Sequence, residues 1–252
     1  MKLCLEADCR AMSAAAAQHA AASLRRIIDE AGNARLVAAT GASQLEFLRA
    51  LTSLKDIDWT RVELFHLDEY VGIPESHPAS FRRYLRENLL DKTSIRRYHF
   101  LDGTGRAEEV MRDVGRELSS RPIDIMFAGI GENGHLAFND PPADFETTDP
   151  YILVILDEAC RRQQVGEGWF AHLDDVPTRA ISMSIRQMMK AKELLVTVPD
   201  ARKALAVKAA VEGDITALVP ASIIRIHPNV TLYVDEPAAS RLERATIDQY
   251  RC

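Results

Sequence analysis

Ile123-Asp124-Ile125-Met126-Phe127-Ala128-Gly129-Ile130-Gly131-Glu132-Asn133-Gly134-His135 reads as a buried strand that breaks into a glycine loop and delivers a histidine beyond it. The apolar run 123–128 is short enough for a strand and too short for a helix. Gly129, Gly131 and Gly134 satisfy the G-x-G-x-x-G spacing of a dinucleotide loop. The chain then runs into His135-Leu136-Ala137-Phe138-Asn139-Asp140-Pro141-Pro142, and the two prolines stop a long helix from starting there. No acidic residue roughly twenty positions on follows a clear second strand, so a nicotinamide cofactor is not expected.

Outward from this stretch, strands alternate with helices. Strands are expected at 36–39, 62–67, 152–156, 194–198 and 231–234. Helices are expected at 14–28, around Leu45, Leu48 and Leu51, around Phe81, Leu85 and Leu89, around Val110, Val114 and Leu118, and at 201–211. For the first of them Ser13 is a plausible N-cap and Gly32 a stop. The pattern predicts an α/β fold: a three-layer, open, mostly parallel Rossmann-like sheet with helices on both faces, built as one domain over residues 1–252.

The bulk numbers agree. Hydrophobic residues make up 47% of 252, enough for a sizeable core without staples, and the formal charge is −6 with no basic run. That leaves no electrostatic footprint for nucleic acid, and no apolar run approaches a membrane span. Cys4, Cys9, Cys160 and Cys252 show neither C-x-x-C nor zinc spacing. Residues 1–10 carry Glu6 and Asp8 where a signal peptide needs apolar residues. A reduced, soluble, cytoplasmic chain is expected, with its oligomeric state left open, a homo-oligomer included.

The reactive residues fall just past strand ends. Thr40-Gly41-Ala42-Ser43, Asp68, the 129–135 loop and Asp200–Lys203 all do so, and open α/β sheets bind ligands outside the carboxyl ends of their strands. Gly41, Ala42 and Ser43 suit a small phosphate cup at a helix start, though a plain turn with Ser43 as N-cap is the commoner use of such residues. No Gly-Lys-Ser/Thr follows, so a nucleotide loop is excluded. Lys203 sits near the wrong end of a helix dipole, a cost of roughly a few tenths of a kcal/mol that a bound anion offsets. Asp68 and Glu69 are adjacent at a strand end, so only one faces the cleft. That one can move a proton between adjacent sugar carbons, whereas a carboxylate facing away is suited to a helix cap or an ion pair. Asn133 or Asp140 can orient one nitrogen of His135 and leave the other for proton exchange. His66 is expected to be structural.

Asp68-Glu69-Tyr70-Val71-Gly72 with His77-Pro78, the stretch Gly131 to Asn139, Arg202-Lys203-Ala204-Leu205-Ala206, Ala210-Val211-Glu212-Gly213 and Asp235-Glu236-Pro237 together resemble glucosamine-6-phosphate deaminases. The related 6-phosphogluconolactonases share the Gly-His loop but typically carry Asp-Glu-Arg at the first motif. The resemblance implies a hydrolase/isomerase of amino-sugar metabolism that opens, isomerises and deaminates an amino-sugar 6-phosphate, with no metal or organic cofactor. By position it makes Asp68 the base between C2 and C1, His135 the ring-opening residue, and Asn133 and Asp140 its orienters. Gly41, Ala42, Ser43 and Lys203 fall on the phosphate site, with Glu69 and Gly131 counted among the substrate-binding residues. Relatives carry a phosphate-holding arginine where this chain has Gln164-Val165-Gly166-Glu167-Gly168-Trp169-Phe170, and Arg161 and Arg162 are the candidates to replace it. Basic residues for a regulatory sugar-phosphate site are not evident at 145–151. A lactonase and a non-catalytic sugar-phosphate sensor are the alternative readings.

Overall fold

The computed structural model describes residues 1–166 and 168–252, so Glu167 of the motif above lies outside the described residues. In chain order the elements are β1 (Lys2–Glu6), α1 (Cys9–Ala31), β2 (Ala34–Ala38), α2 (Leu45–Ser53), β3 (Val62–His66), β4 (Asp68–Tyr70), α3 (Phe81–Asn88), β5 (Arg97–His99), α4 (Ala107–Ser119) and β6 (Ile125–Ala128). They continue with β7 (Tyr151–Ile155), α5 (Glu158–Gly166), β8 (Arg179–Met183), α6 (Ile185–Met188), β9 (Glu193–Val198), α7 (Ala204–Glu212), β10 (Val230–Asp235), α8 (Glu236–Ala239) and α9 (Arg244–Tyr250). Seven strands form a parallel sheet in the order β1-β10-β9-β6-β2-β3-β5.

The strand residues alternate between two cores. Leu36, Leu64, Ile125 and Phe127 pack on one face with Met12, Ala16, Leu24 and Phe47, while Val37, Phe65 and Met126 pack on the other with Leu118, Val207 and Ile224. Burial on both faces is what turns these strands into continuous apolar runs. Strand order reverses where β2 meets β6, and the crevice above such a switch point is the usual ligand site of an open α/β sheet.

Three details correct the sequence reading. Asp8, not Ser13, caps α1, accepting a hydrogen bond from the Ala11 amide at 2.8 Å, and Ser13 is buried. Gly32 does end that helix, in the left-handed conformation at φ 79°. The strand expected at 152–156 leaves the parallel sheet and joins a separate antiparallel one, β4-β8-β7. Residues 152–154 are half-buried in a row and Ile155 is exposed, a pattern that periodicity within one sequence does not assign to a particular sheet. The expectation of fully reduced cysteines also fails: Cys4 and Cys252 form a disulfide across Cα atoms 5.2 Å apart. Beside it, the Cys252 amide donates to the Leu3 carbonyl.

At the amino ends of β2 and β3, away from the crevice, Arg35 is 1% exposed and pairs with Glu63 at 3.1 Å. Its guanidinium also donates to the Leu118, Arg121 and Glu117 carbonyls. Burial works against the charge on Glu63, but the His99 hydrogen bond and the Arg35 and Arg97 guanidinium groups prevail and hold its carboxyl below the usual range. No helix among the described residues is long and apolar enough to cross a membrane.

Candidate active site

A cavity of about 600 Å³ opens at the carboxyl ends of the central strands. The loop after β2 contributes Thr40, Gly41, Ala42 and Ser43, β4 contributes Asp68, and the loop after β6 contributes Gly129, Gly131 and His135. The turn after β9 contributes Arg202 and Lys203, and α5 with the chain after it contributes Gln163, Gln164 and Trp169. All four segments singled out in the sequence meet there. The α5 residues and Arg202 were missed as site residues; the adjacency of Arg202 to Lys203 was the one signal that could have found it.

Asp68 and Glu69 part company because successive side chains of a strand point to opposite faces. Asp68 faces the cavity at 6% exposure, and its Oδ1 makes no hydrogen bond among the described residues. Burial, and then the neighbouring Glu69 carboxylate, push its pKa up to about 8, against a smaller opposing effect of the Thr40 hydroxyl. Glu69 does not reach the cavity, which corrects its assignment as a substrate-binding residue. Its carboxylate accepts from Ser80 Oγ at 2.8 Å, from the Phe81 and Arg82 amides at 3.1 and 3.0 Å, and from Arg82 Nε at 3.1 Å. It therefore caps α3 from outside and fixes that helix on β4.

His135 is held by its own loop. Gly131 N–H donates to the His135 carbonyl and Gly134 N–H to the Gly131 carbonyl, both at 3.0 Å, while Gly134 takes φ 85°. Asn133 bridges the pair: its Oδ1 accepts from the His135 amide at 3.1 Å, and its Nδ2 donates to Asp140 Oδ1 at 2.8 Å. Asp140 Oδ1 in turn lies 3.2 Å from His135 Nδ1, within ion-pair reach though not aligned as a hydrogen bond. The aspartate thus reaches the ring directly despite its short side chain. Burial opposes its charge, but His135 and Asn133 together keep its carboxyl below the ordinary range. A Cβ on Gly131 would stand 2.2 Å from the imidazole, so this glycine is the seat of the ring and lines the cavity at the same time.

One hydroxyl joins the two halves of this arrangement. Ser182 of β8 pairs with Asp68 in register, and its Oγ accepts from the Phe138 amide and from Asn139 Nδ2, both at 3.1 Å. The short antiparallel sheet thereby ties the Asp68 strand to the segment that follows His135.

At the other end of the cavity, Gly41 has φ 97° and its carbonyl accepts from Tyr84 Oη at 2.9 Å. Ser43 lies inside a 3-10 turn, Ala42–Gln44, and caps nothing, so the plain N-cap use is not realised. Asp200 takes φ 87° and its side chain accepts from the Arg202 amide at 2.9 Å, capping the turn Ala201–Lys203 that leads into α7. The Asp200 amide is held by Asp235. Lys203 is 8% exposed, and its Nζ lies 3.8 Å from Glu132.

Neither proposed substitute for the family arginine reaches the cavity. Arg161 donates to the Leu173 and Val176 carbonyls, and Arg162 pairs with Glu158. His66 is buried, with burial lowering its pKa to about 3, as a structural histidine should be. The one cluster among the described residues with metal-ligating side chains, Glu63, His99 and Glu117, lies with Arg35 at the opposite end of the sheet. Three arginines already neutralise Glu63 there.

With this geometry in hand, residues 7–233 match the model for glucosamine-6-phosphate isomerases/6-phosphogluconolactonase. The chain belongs to that family. A glucosamine-6-phosphate deaminase of Bacillus cereus strain G9842 is 34% identical over 229 residues, covering 90% of this chain and 86% of the relative. One of Streptococcus pneumoniae strain Hungary19A-6 is 35% identical over 207 residues, covering 82% and 86%. Among solved structures, a monomeric glucosamine-6-phosphate deaminase superposes with a TM-score of 0.89 at 28% identity, over 96% of this chain and 100% of that one. The 6-phosphogluconolactonase of Thermotoga maritima shares the fold at a TM-score of 0.78 and 16% identity, over 93% and 99%. Within the family, the cavity described here holds a buried carboxylate, a carboxylate-partnered imidazole and a cationic end in one space, a set able to move protons on an anionic sugar.

Proposed function

We propose that this chain is a glucosamine-6-phosphate deaminase, converting glucosamine 6-phosphate and water into fructose 6-phosphate and ammonia. The observation that carries the reading is the joint exposure of Asp68 and His135 to one cavity that ends in Lys203. Its curated relatives at 34–35% identity bear that name.

His135 opens the pyranose. Its Nδ1 faces Asp140, leaving Nε2 to take the proton of the C1 hydroxyl and return it to the ring oxygen. Asp68 then removes the proton from C2 and delivers it to C1, while the substrate's ammonium gives up one proton to the C1 oxygen, which leaves a hydroxyl at C1 and an iminium at C2. Water adds there, its oxygen becomes the ketone, and the nitrogen departs as ammonia. Asp68 must be ionised for this step. Burial keeps it protonated to about pH 8 in the empty site, and the ammonium group of the incoming amino sugar favours the carboxylate by opposite charge. The loop 41–43 and Lys203 bind the phosphate, and Asn133 and Asp140 position the imidazole.

A lactonase needs only a base that activates water and leaves the buried Asp68 without a task. A sensor needs neither proton shuttle. A cytoplasmic setting, where sugar phosphates are retained, suits the substrate; the Cys4–Cys252 bond is the feature that fits it least.

The test is incubation with glucosamine 6-phosphate while fructose 6-phosphate and ammonia are measured together, beside His135→Ala and Asp68→Asn. Release of both products, lost in the variants, is expected. No release above the variants at millimolar substrate overturns the proposal.

A further inference from the structure

The cavity must neutralise a phosphate dianion, and among its described lining residues only Arg202 and Lys203 carry a fixed positive charge. Both stand on the turn before α7, and both face the same carboxylate. Glu132, from the glycine loop, places Oε1 3.6 Å from Arg202 Nη1 and 3.8 Å from Lys203 Nζ. These separations exceed those of charge-assisted hydrogen bonds, so one carboxylate is shared loosely between two cations rather than docked on either. Glu132 keeps a side-chain exposure of 36%, enough to swing into solvent. Arg202 is anchored on the far side by Asp200, through Nε at 3.1 Å and Nη2 at 2.9 Å, which orients its fork.

We propose that Arg202 is the second cation of the phosphate subsite, and that Glu132 is a resident counter-ion which the substrate's phosphate displaces. The inference rests on the functional reading above. Arg202 brings a planar, bidentate donor fork and Lys203 a buried point charge, while the loop 41–43 closes the subsite. The same carboxylate then tunes affinity: it holds the cations together in the empty site and repels the phosphate that must replace it. Opposite effects follow from removing the two partners. Loss of the guanidinium weakens phosphate binding, and loss of the Glu132 charge strengthens it. Because neither residue touches the carbons where bonds change, both effects belong in KM.

The test uses the full chain with Arg202→Met, Arg202→Lys and Glu132→Gln. Steady-state kinetics are run on glucosamine 6-phosphate, and binding of inorganic phosphate is followed by calorimetry. A charge-assisted contact of ordinary strength predicts that Arg202→Met raises KM and the phosphate Kd by about ten- to a hundredfold, with kcat nearly unchanged. Arg202→Lys should recover part of the loss, and Glu132→Gln should lower both constants. An unchanged phosphate Kd in Arg202→Met, or shifts of the same sign in Arg202→Met and Glu132→Gln, overturns the proposal. The calorimetric arm needs no turnover. A wild-type chain that binds phosphate through Arg202 yet releases no ammonia sinks the deaminase reading while leaving the anion subsite standing.

Discussion

Replacing Gly131 by alanine tests whether the His135 ring is held where proton transfer needs it. The new methyl carbon would lie 2.2–2.4 Å from three ring atoms, and ordinary contact begins near 3.4 Å. The imidazole must therefore retreat by about 1.2 Å, the difference between 3.4 and 2.2 Å, or rotate out of place. Gly131 is not among the glycines with positive φ, so the substitution introduces no backbone strain and its effect is confined to the ring. A displacement of about 1 Å at a catalytic group costs on the order of a hundredfold in rate, or about 2.7 kcal/mol in the barrier. Crowding the ring against its new neighbour costs about 1–3 kcal/mol of stability, which lowers the melting temperature by roughly 2–12 °C for a chain of this size. The assay is a double-mutant cycle read by calorimetric melting and by ammonia release. Gly131→Ala should destabilise the wild-type chain but be nearly neutral in a His135→Ala background, where no ring remains to be struck. Equal destabilisation in both backgrounds, or activity retained within about threefold of wild type, which sets aside the expected loss, would refute the assignment.

Other substitutions probe the remaining charged groups. Asp68 keeps its proton to about pH 8 in the folded chain but releases it near 3.8 when unfolded, so its contribution to stability is full below the lower value and is lost as pH rises through the upper one. Asp68→Asn should therefore abolish turnover while raising stability at pH 7 by on the order of 1 kcal/mol or more, seen as a higher melting temperature. The gain should vanish at pH 3. Glu63→Ala leaves Arg35 buried without its partner and should cost about 3–5 kcal/mol in urea denaturation. Because the folded pKa of Glu63 is depressed, the wild-type contribution is present at neutral pH and disappears as pH falls through that lowered value. Reduction of the Cys4–Cys252 bridge, which spans a separation of 248 residues, should lower the unfolding free energy by up to about 5 kcal/mol. Melting with and without reductant reads this directly. KM should be unaffected, since neither cysteine lines the cavity.

Much of the site was legible because its residues follow strand ends, and strand ends are marked by the switch from apolar runs to Gly, Asp and Ser. Asp68 lies two residues past the end of β3, Ser43 and Lys203 five past β2 and β9, and His135 seven past β6. What escaped was set by packing between distant segments. Glu69 looks no different from Asp68 in sequence, and only the pleat of β4 and the docking of α3 decide which carboxylate faces the cavity. Gly131 reads as loop flexibility, but its lack of a side chain is what seats the imidazole. Strand 151–155 has the apolar content of the other strands, and its removal to a second sheet depends on pairing with β8. The disulfide joins residues that spacing rules cannot relate.

The small antiparallel sheet divides labour within the chain. Two of its strands, β7 and β8, are joined through α5, which supplies Gln163 and Gln164 to the rim of the cavity, while the third strand carries Asp68. Ser182 locks β8 to the His135 segment. Between these strands the segment 158–178 is anchored from within: Tyr70 Oη donates to Gln164 Oε1 at 2.6 Å, and Cys160, Phe170 and Val176 pack with Tyr70 and Phe138. Exchange of the cavity-facing Gln163 can alter which sugar fits beneath, whereas wholesale exchange of the segment removes packing from Tyr70 and Phe138, close neighbours of Asp68 and His135 in the chain. New substrate preference in such an enzyme is therefore gained by changing the cavity-facing side chains of that segment while keeping its buried ones.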